Sequence, residues 1–159
     1  MYSPTVGATL IRLNGYAPNA IALLRDRTVC KVFHHAIFDL RFLTSYWKVR
    51  AANIACTKIA AKLLSPGDAE AQRLQALVGR FLGVIIDKTQ QKSDWSAPEY
   101  SPAQIEYAVN DVQHLPSLYQ AMKQALASAG LLELAERCYA HIPTRVDLEL
   151  RGFGDVYTY

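Results

Sequence analysis

A phenol, a carboxylate and an imidazole recur at helical spacing in the second half of the chain. Tyr107, Asp111 and His114 stand at i, i+4 and i+7, so in a helix they share one flank beside an apolar stripe. A carboxylate there can bind a hard divalent cation, and the phenol beside it can position a water molecule. Because tyrosine and aspartate at this spacing also form ordinary surface hydrogen bonds, both interpretations stay open.

A further carboxylate follows a short apolar segment in the first half of the chain. Asp39 falls in the first turn of a helix predicted over residues 36–48, just after a strand predicted over 29–33. The helix dipole favours a carboxylate at this position whatever its role. Because α/β proteins place ligand sites where their strands end, Asp39 is also a candidate metal ligand.

The elements that must position these residues alternate between strand and helix before the chain becomes mostly helical. Strands are predicted over residues 7–13 (with residues 1–6 as the stub of a paired strand), 29–33 and 51–56. Helices are predicted over residues 18–24, 36–48, 57–64, 74–82, from 101 onward, 116–129 and 131–139. The tail, Val156-Tyr157-Thr158-Tyr159, has strand character. This order indicates an α/β sheet with a helical C-terminal half.

Length and composition predict one globular domain over residues 1–159. The chain is 51% hydrophobic and 19% charged, which fits a folded protein and argues against disorder. It has no apolar run of about 18 residues, so we expect no membrane span, and it shows no secretory signal pattern. Its three cysteines are widely spaced, which argues against a disulfide framework or a thiolate zinc site. We therefore expect an intracellular protein of the cytoplasm or an organelle matrix.

The net charge of +3 conceals an uneven distribution along the chain. Residues 1–64 carry nine Lys/Arg and two Asp (+7), whereas residues 65–159 carry eight Lys/Arg and twelve Asp/Glu (−4). A basic N-terminal half can attract a polyanion such as nucleic acid. A solvated surface explains the same charges equally well.

Two short motifs carry a resemblance to a known family. Lys31-Val32-Phe33-His34 followed by Asp39 resembles the second metal-site motif of RNase D-like 3′–5′ exonucleases, and Tyr107-x-x-x-Asp111 resembles the third motif in its tyrosine-containing version. Thr57-Lys58-Ile59-Ala60 and Gln91-Lys92-Ser93-Asp94-Trp95 also resemble segments of these proteins. The C-terminal stretch is similar to the nanoRNase C type of oligoribonuclease.

The resemblance implies a ribonuclease-H-like sheet flanked by helices and a two-metal site for magnesium or manganese. By that resemblance, Asp39 and Asp111 are metal ligands and Tyr107 orients the attacking water. His34 and His114 are weaker candidates for packing against the site, and Lys92 and Trp95 for touching the substrate. Trp95 can equally be a core anchor.

The family's first motif, an Asp-x-Glu pair on an opening strand, has no counterpart in this sequence. The first acidic residue is Asp26, which ends a predicted helix, and no glutamate precedes Glu70. We therefore expect an N-terminally incomplete domain with very low activity by itself. A partner chain, the terminal segment 156–159 or a larger assembly could complete the sheet.

The sequence leaves two functions open. The first is metal-dependent hydrolysis of nucleic acid from the 3′ end, on short RNA rather than DNA, by a homo-oligomer or with a partner chain. The second is a catalytically dead pseudo-nuclease that serves as a binding or structural subunit of an assembly, which can contain nucleic acid.

Overall fold

The computed structural model describes residues 1–12, 15–86 and 93–158. Within these ranges the strands are β1 (Tyr2–Ser3), β2 (Gly7–Ala8), β3 (Lys31–Phe33) and β4 (Ile54–Cys56). The helices are α1 (Pro18–Arg25), α2 (Ala36–Trp47), α3 (Thr57–Leu64), α4 (Leu74–Leu82), α5 (Pro102–Gln113), α6 (Leu115–Ser128) and α7 (Leu132–Leu150).

A parallel pair of strands lies at the centre of the fold. β3 pairs with β4 in the register Lys31↔Ile54, Val32↔Ala55 and Phe33↔Cys56, and α2 is the crossover between them. All three residues of β4 are buried. Since the strands are parallel, their carboxyl ends lie at the same edge, where α2 and α3 begin.

Helices α2, α3, α4, α6 and α7 enclose this pair. α7 packs on α2, α3 and β4, and α6 packs on α3 and α4. The largest fully buried side chains come from four of these helices, namely Leu40, Leu77, Leu118, Met122, Leu126 and Ile142. One continuous core therefore holds the sheet and its helices together.

The start of α5 is fixed by a capping box, as the sequence predicts. The Ser101 hydroxyl accepts from the Gln104 backbone N–H, and the Gln104 side chain accepts from Ser101 N–H. The other end of the Gln104 amide donates to Ser93 Oγ and to the Asp94 carbonyl. Arg12 donates from both terminal nitrogens to the carbonyls of residues 97 and 98. These bonds tie the segment before α5 to the helix itself.

The predicted strand over residues 7–13 is wrong beyond its first two residues. β2 ends at Ala8, where it pairs only with β1 in an antiparallel hairpin. Leu10 and Ile11 are exposed, so their apolar character does not reflect burial in a sheet. A strand needs a hydrogen-bonding neighbour along its whole length. Thr9 exchanges hydrogen bonds with Met1, but residues 10–12 have no strand neighbour in the described part of the chain, and residue 13 lies outside it.

The last helix extends farther than the sequence pattern predicts. α7 continues through Pro143 to Leu150 instead of ending near residue 139. Proline removes one backbone hydrogen bond from a helix. The buried side chains of Ala135, Tyr139, Ile142 and Val146 nevertheless follow helical spacing on both sides of it. Packing of this face against α2 and α3 outweighs the local penalty.

The terminal segment does not complete the sheet, contrary to one of the expected possibilities. Residues 156–158 form a turn, and the ring of Tyr157 packs on His141 of α7. Arg145 of the same helix donates to the Gly154 carbonyl and pairs with Asp155. Among the residues described, no helix is long and apolar enough to cross a membrane.

Candidate active site

Several of the predicted site residues line one cleft that runs along β3. The cleft has a volume of about 1490 Å³, and Asp39, Tyr107 and Asp111 all line it. His34, at the end of β3, and Lys58, in the first turn of α3, line it as well. Three separate parts of the chain therefore contribute polar groups to one cavity.

Asp39 occupies the first turn of α2 and is half-buried. Burial raises the pKa of its carboxyl to about 6, against a small opposing effect of a backbone hydrogen bond. A partly desolvated carboxylate gains from a nearby cation, because the cation replaces some of the lost hydration. Its surroundings therefore suit a metal ligand, although they do not identify one.

Tyr107 and Asp111 form a pair one helical turn apart on α5. Burial, and then the hydrogen bond from the phenol to the Asp111 carboxylate, raise the pKa of Tyr107 to about 12. The phenol therefore stays protonated at neutral pH and donates a hydrogen bond to the Asp111 carboxylate. The oxygens of Asp111 can also accept from water.

Trp95 positions the ring of Tyr107. The indole packs between two tyrosines, with its centroid 5.9 Å from Tyr107 and 5.6 Å from Tyr100. The Tyr100 hydroxyl donates to the Trp95 carbonyl at 3.3 Å. These contacts favour the anchoring interpretation, and a direct substrate contact for Trp95 stays a prediction.

His34 is held by the first residue of α3. Its Nδ1 lies 2.9 Å from the Thr57 hydroxyl, which itself donates to the Phe33 carbonyl at 3.3 Å. Since a hydroxyl has one proton, Thr57 must accept from a protonated Nδ1. The imidazole is thereby oriented at the end of β3, on the wall of the cleft.

The remaining candidates are not brought into this group. The helix predicted to carry His114 ends at Gln113, and His114 is its C-cap residue. The His114 ring lies 3.3 Å from the Gln113 side chain and does not line the cleft. Lys92 lies outside the described residues. Asp26 caps the end of α1, where it accepts from Thr28, as its sequence context predicts.

Lys58 and Thr57 are functional candidates that we did not single out from the sequence. Both follow β4 directly, at the carboxyl end of a strand that is parallel to β3. The sequence does contain a signal for these two residues. When two apolar strands that each lead into a helix pair in parallel, the residues that follow them lie at the same edge of the sheet. Recognising it requires knowing that the strands pair.

The acidic groups of the cleft offer an incomplete metal site. Nowhere in residues 1–12, 15–86 and 93–158 do three or more His, Cys, Asp or Glu side chains come together in a way that could hold a metal ion. Two carboxylates remain, Asp39 and Asp111. Magnesium is commonly bound through one or two carboxylates with water completing its shell.

A family of 3′–5′ exonucleases matches residues 10–127 of this chain, a range that includes every residue of the site described above. The chain belongs to this family. Brucella melitensis NrnC is 38% identical with a TM-score of 0.85, over 91% of this chain and 70% of that one. Escherichia coli RNase D is 25% identical with a TM-score of 0.71, over 79% of this chain and 33% of that one.

Curated sequences give the same relationship. Ribonuclease D of Gluconacetobacter diazotrophicus is 39% identical over 111 residues, which are 70% of this exonuclease chain and 28% of that protein. The chain thus spans less than a third of the length of that relative. The predicted fold is confirmed: this is a ribonuclease-H-like α/β exonuclease fold of the RNase D and NrnC type.

Proposed function

We propose that this domain hydrolyses single nucleotides from the 3′ end of nucleic acid with the help of a divalent cation. The observation that carries the proposal is that Asp39, Tyr107 and Asp111 line one cleft, although Asp39 and Tyr107 are 68 residues apart in the chain. Asp39 lies just past the carboxyl end of β3, where such folds bind ligands.

In this proposal each residue has one task. Asp39 and Asp111 hold magnesium or manganese, the ions that suit an all-oxygen site. The ion supplies activation of a water molecule and stabilisation of the leaving 3′ oxygen. Tyr107 keeps its proton at neutral pH, so it orients that water through its hydroxyl instead of acting as a base. His34 and Lys58 border the same cleft, where Lys58 can attract a phosphate.

The relatives support the choice of ion and of substrate. Structures of Brucella melitensis NrnC exist with Mg²⁺ bound and with pGG bound. On this basis we propose magnesium as the ion and RNA, rather than DNA, as the substrate. The three free cysteines fit the reducing compartment expected from the sequence, the cytoplasm or an organelle matrix.

We further propose that the protein works as a homo-oligomer or with a partner chain that adds a strand. β3 pairs with β4 alone among the strands described, and residues 29–34 line the cleft along their length. The second edge of β3 therefore offers backbone N–H and C=O groups to another strand. Such a strand would also be a source of further carboxylates beside Asp39.

The alternative is a pseudo-nuclease that binds nucleic acid or a protein assembly without hydrolysis. The observation that favours this alternative is that only two carboxylates, those of Asp39 and Asp111, line the cleft among the described residues, and that no metal-binding group of three or more side chains is found there. Low activity of the 159-residue chain by itself is expected under both proposals.

Release of 3′ mononucleotides from a short 5′-labelled RNA in Mn²⁺ distinguishes the two. We expect release that stops on addition of EDTA and in Asp39→Asn and Asp111→Asn. Glu136→Gln, an exposed acidic side chain on α7, serves as the matched control and should keep the activity of the parent. Activity that persists in Asp111→Asn would contradict the assignment. If no divalent metal binds at millimolar concentration, the pseudo-nuclease remains.

A further inference from the structure

A row of aromatic side chains stands exposed on α2. Phe38, Phe42 and Tyr46 are spaced at i, i+4 and i+8 and are 49%, 50% and 49% exposed. Folded domains rarely leave neighbouring large aromatic groups in water unless something binds there. We call these three residues, together with His35 and Arg41, the aromatic ridge.

Three rings of the aromatic ridge, those of His35, Phe38 and Phe42, form a continuous series. His35 stacks on Phe38 with centroids 5.9 Å apart and an interplanar angle of 18°. Phe38 meets Phe42 edge to face at 5.1 Å. The Arg41 guanidinium lies 5.8 Å from the Phe38 centroid and 5.3 Å from that of Phe42. The guanidinium of Arg41 thus lies beside the rings of both Phe38 and Phe42.

The aromatic ridge is continuous with the candidate active site. Phe42 lines the cleft together with Asp39, which follows Phe38 directly on the same helix. From Phe38 to Tyr46 the helix advances about 12 Å, at about 1.5 Å per residue. Stacked nucleotides rise by roughly 3.4 Å, so this length accommodates about three to four bases.

We propose that the aromatic ridge stacks the bases of a single-stranded nucleic acid whose 3′ end lies in the cleft. The inference rests on the proposed exonuclease function and adds to it a binding surface for the nucleotides that follow the terminal one. Aromatic rings bind bases without regard to sequence, because every base presents a π-face.

Charge complementarity favours a nucleic acid as the occupant over a protein surface. Arg41 places a guanidinium at the rings, where it also pairs with Glu149 at 3.7 Å, and residues 1–64 carry a net charge of +7. A groove that combines basic side chains with aromatic rings is the usual design of single-strand binding sites.

The test replaces the rings while keeping the surface apolar. We expect the double variant Phe38→Leu/Phe42→Leu to bind a fluorescent 12-nucleotide single strand at least about fivefold more weakly, the effect of losing roughly 1 kcal/mol of stacking. Phe38→Tyr/Phe42→Tyr keeps the π-faces and should stay within about twofold of the parent. Phe153→Leu removes an exposed phenylalanine from the tail and should have no effect. Anisotropy in EDTA measures binding without hydrolysis, with RNA and DNA strands in parallel.

Two results would overturn the inference. Unchanged affinity in the leucine variant would show that the rings do not stack bases. A change in the subunit number of the nucleic-acid-free leucine variant, by sedimentation, would show that the ridge is an interface between copies. Hydrolysis by the parent protein is measured separately, so an inactive parent that binds single strands through its rings contradicts the proposed function and leaves the binding surface standing.

Discussion

Asp39 lies in an environment that disfavours the charged form of its carboxyl. Burial dominates its raised pKa, and no basic side chain in the described ranges offsets the effect. Residues that serve a site often reduce stability in this way, because a pre-arranged carboxylate must be kept where a cation can reach it.

Asp39→Asn should therefore stabilise the metal-free protein at alkaline pH. Since the folded pKa of about 6 lies above the unfolded value of about 3.8, the carboxylate destabilises the fold above pH 6, and the penalty disappears as pH falls from 6 towards 4. We expect a gain of about 3 kcal/mol at pH 8 that is lost near pH 4, measured by denaturant unfolding in EDTA. An equal effect of the substitution at both pH values would contradict the burial of this carboxyl.

The hydroxyl of Tyr107 can be removed without disturbing its ring. Tyr107→Phe keeps the packing on Trp95 and loses only the bond to Asp111. We expect kcat to fall by about 100-fold with a smaller change in KM, as for groups that position a proton or a water molecule. Tyr100→Phe, on the other side of Trp95, is the control. Equal losses in both variants would assign the effect to packing.

At the scale of elements, one hydroxyl joins the ends of β3 and β4. Thr57 begins α3, is fully buried, and bonds both the Phe33 carbonyl and His34. The carboxyl edge of the sheet therefore depends on a side chain that contributes no chemistry of its own. Its bonds set the position of one wall of the cleft.

Thr57→Val should lower the free energy of unfolding by about 1–3 kcal/mol, because a buried carbonyl and an imidazole lose their partner while the volume stays the same. Thr57→Ser retains the hydroxyl and should restore the His34 hydrogen bond. The imidazole proton resonances of His34 report that bond directly. A valine variant with an unshifted His34 spectrum would show that Thr57 does not orient the ring.

At the scale of the whole molecule, charge is unevenly distributed and the cleft lies among the basic segments. Lys58 lines the cleft, whereas Lys62, one turn farther along α3, is exposed and does not. The two lysines carry the same charge on one helix. Comparing their substitutions therefore distinguishes a direct contact of Lys58 with a phosphate from the general electrostatic attraction of the protein.

Binding of single-stranded RNA should weaken with salt, with a logarithmic slope of about −0.7 for each phosphate neutralised. We expect Lys58→Gln to make that slope shallower by about 0.7 and Lys62→Gln to leave it unchanged, as measured by anisotropy between 50 and 200 mM salt. Equal slopes for the parent and Lys58→Gln would remove Lys58 from the phosphate path.

The sequence by itself determined the features that local chemistry controls. Residue spacing predicts three such features: the capping box at Ser101, the helix that carries Asp39 in its first turn, and the pair of Tyr107 and Asp111 one turn apart. Their hydrogen bonds join residues that are close together in the chain. Motifs in the expected order were sufficient to indicate the family.

Only the tertiary structure decided which distant groups meet and which strands and helices persist. β2 stops at Ala8 for want of a neighbour, whereas α7 passes Pro143 because its buried face packs on α2 and α3. Lys58 reaches the cleft of Asp39 because β3 and β4 pair in parallel. Pairing and burial depend on residues far apart in the chain, so neither spacing nor composition specifies them.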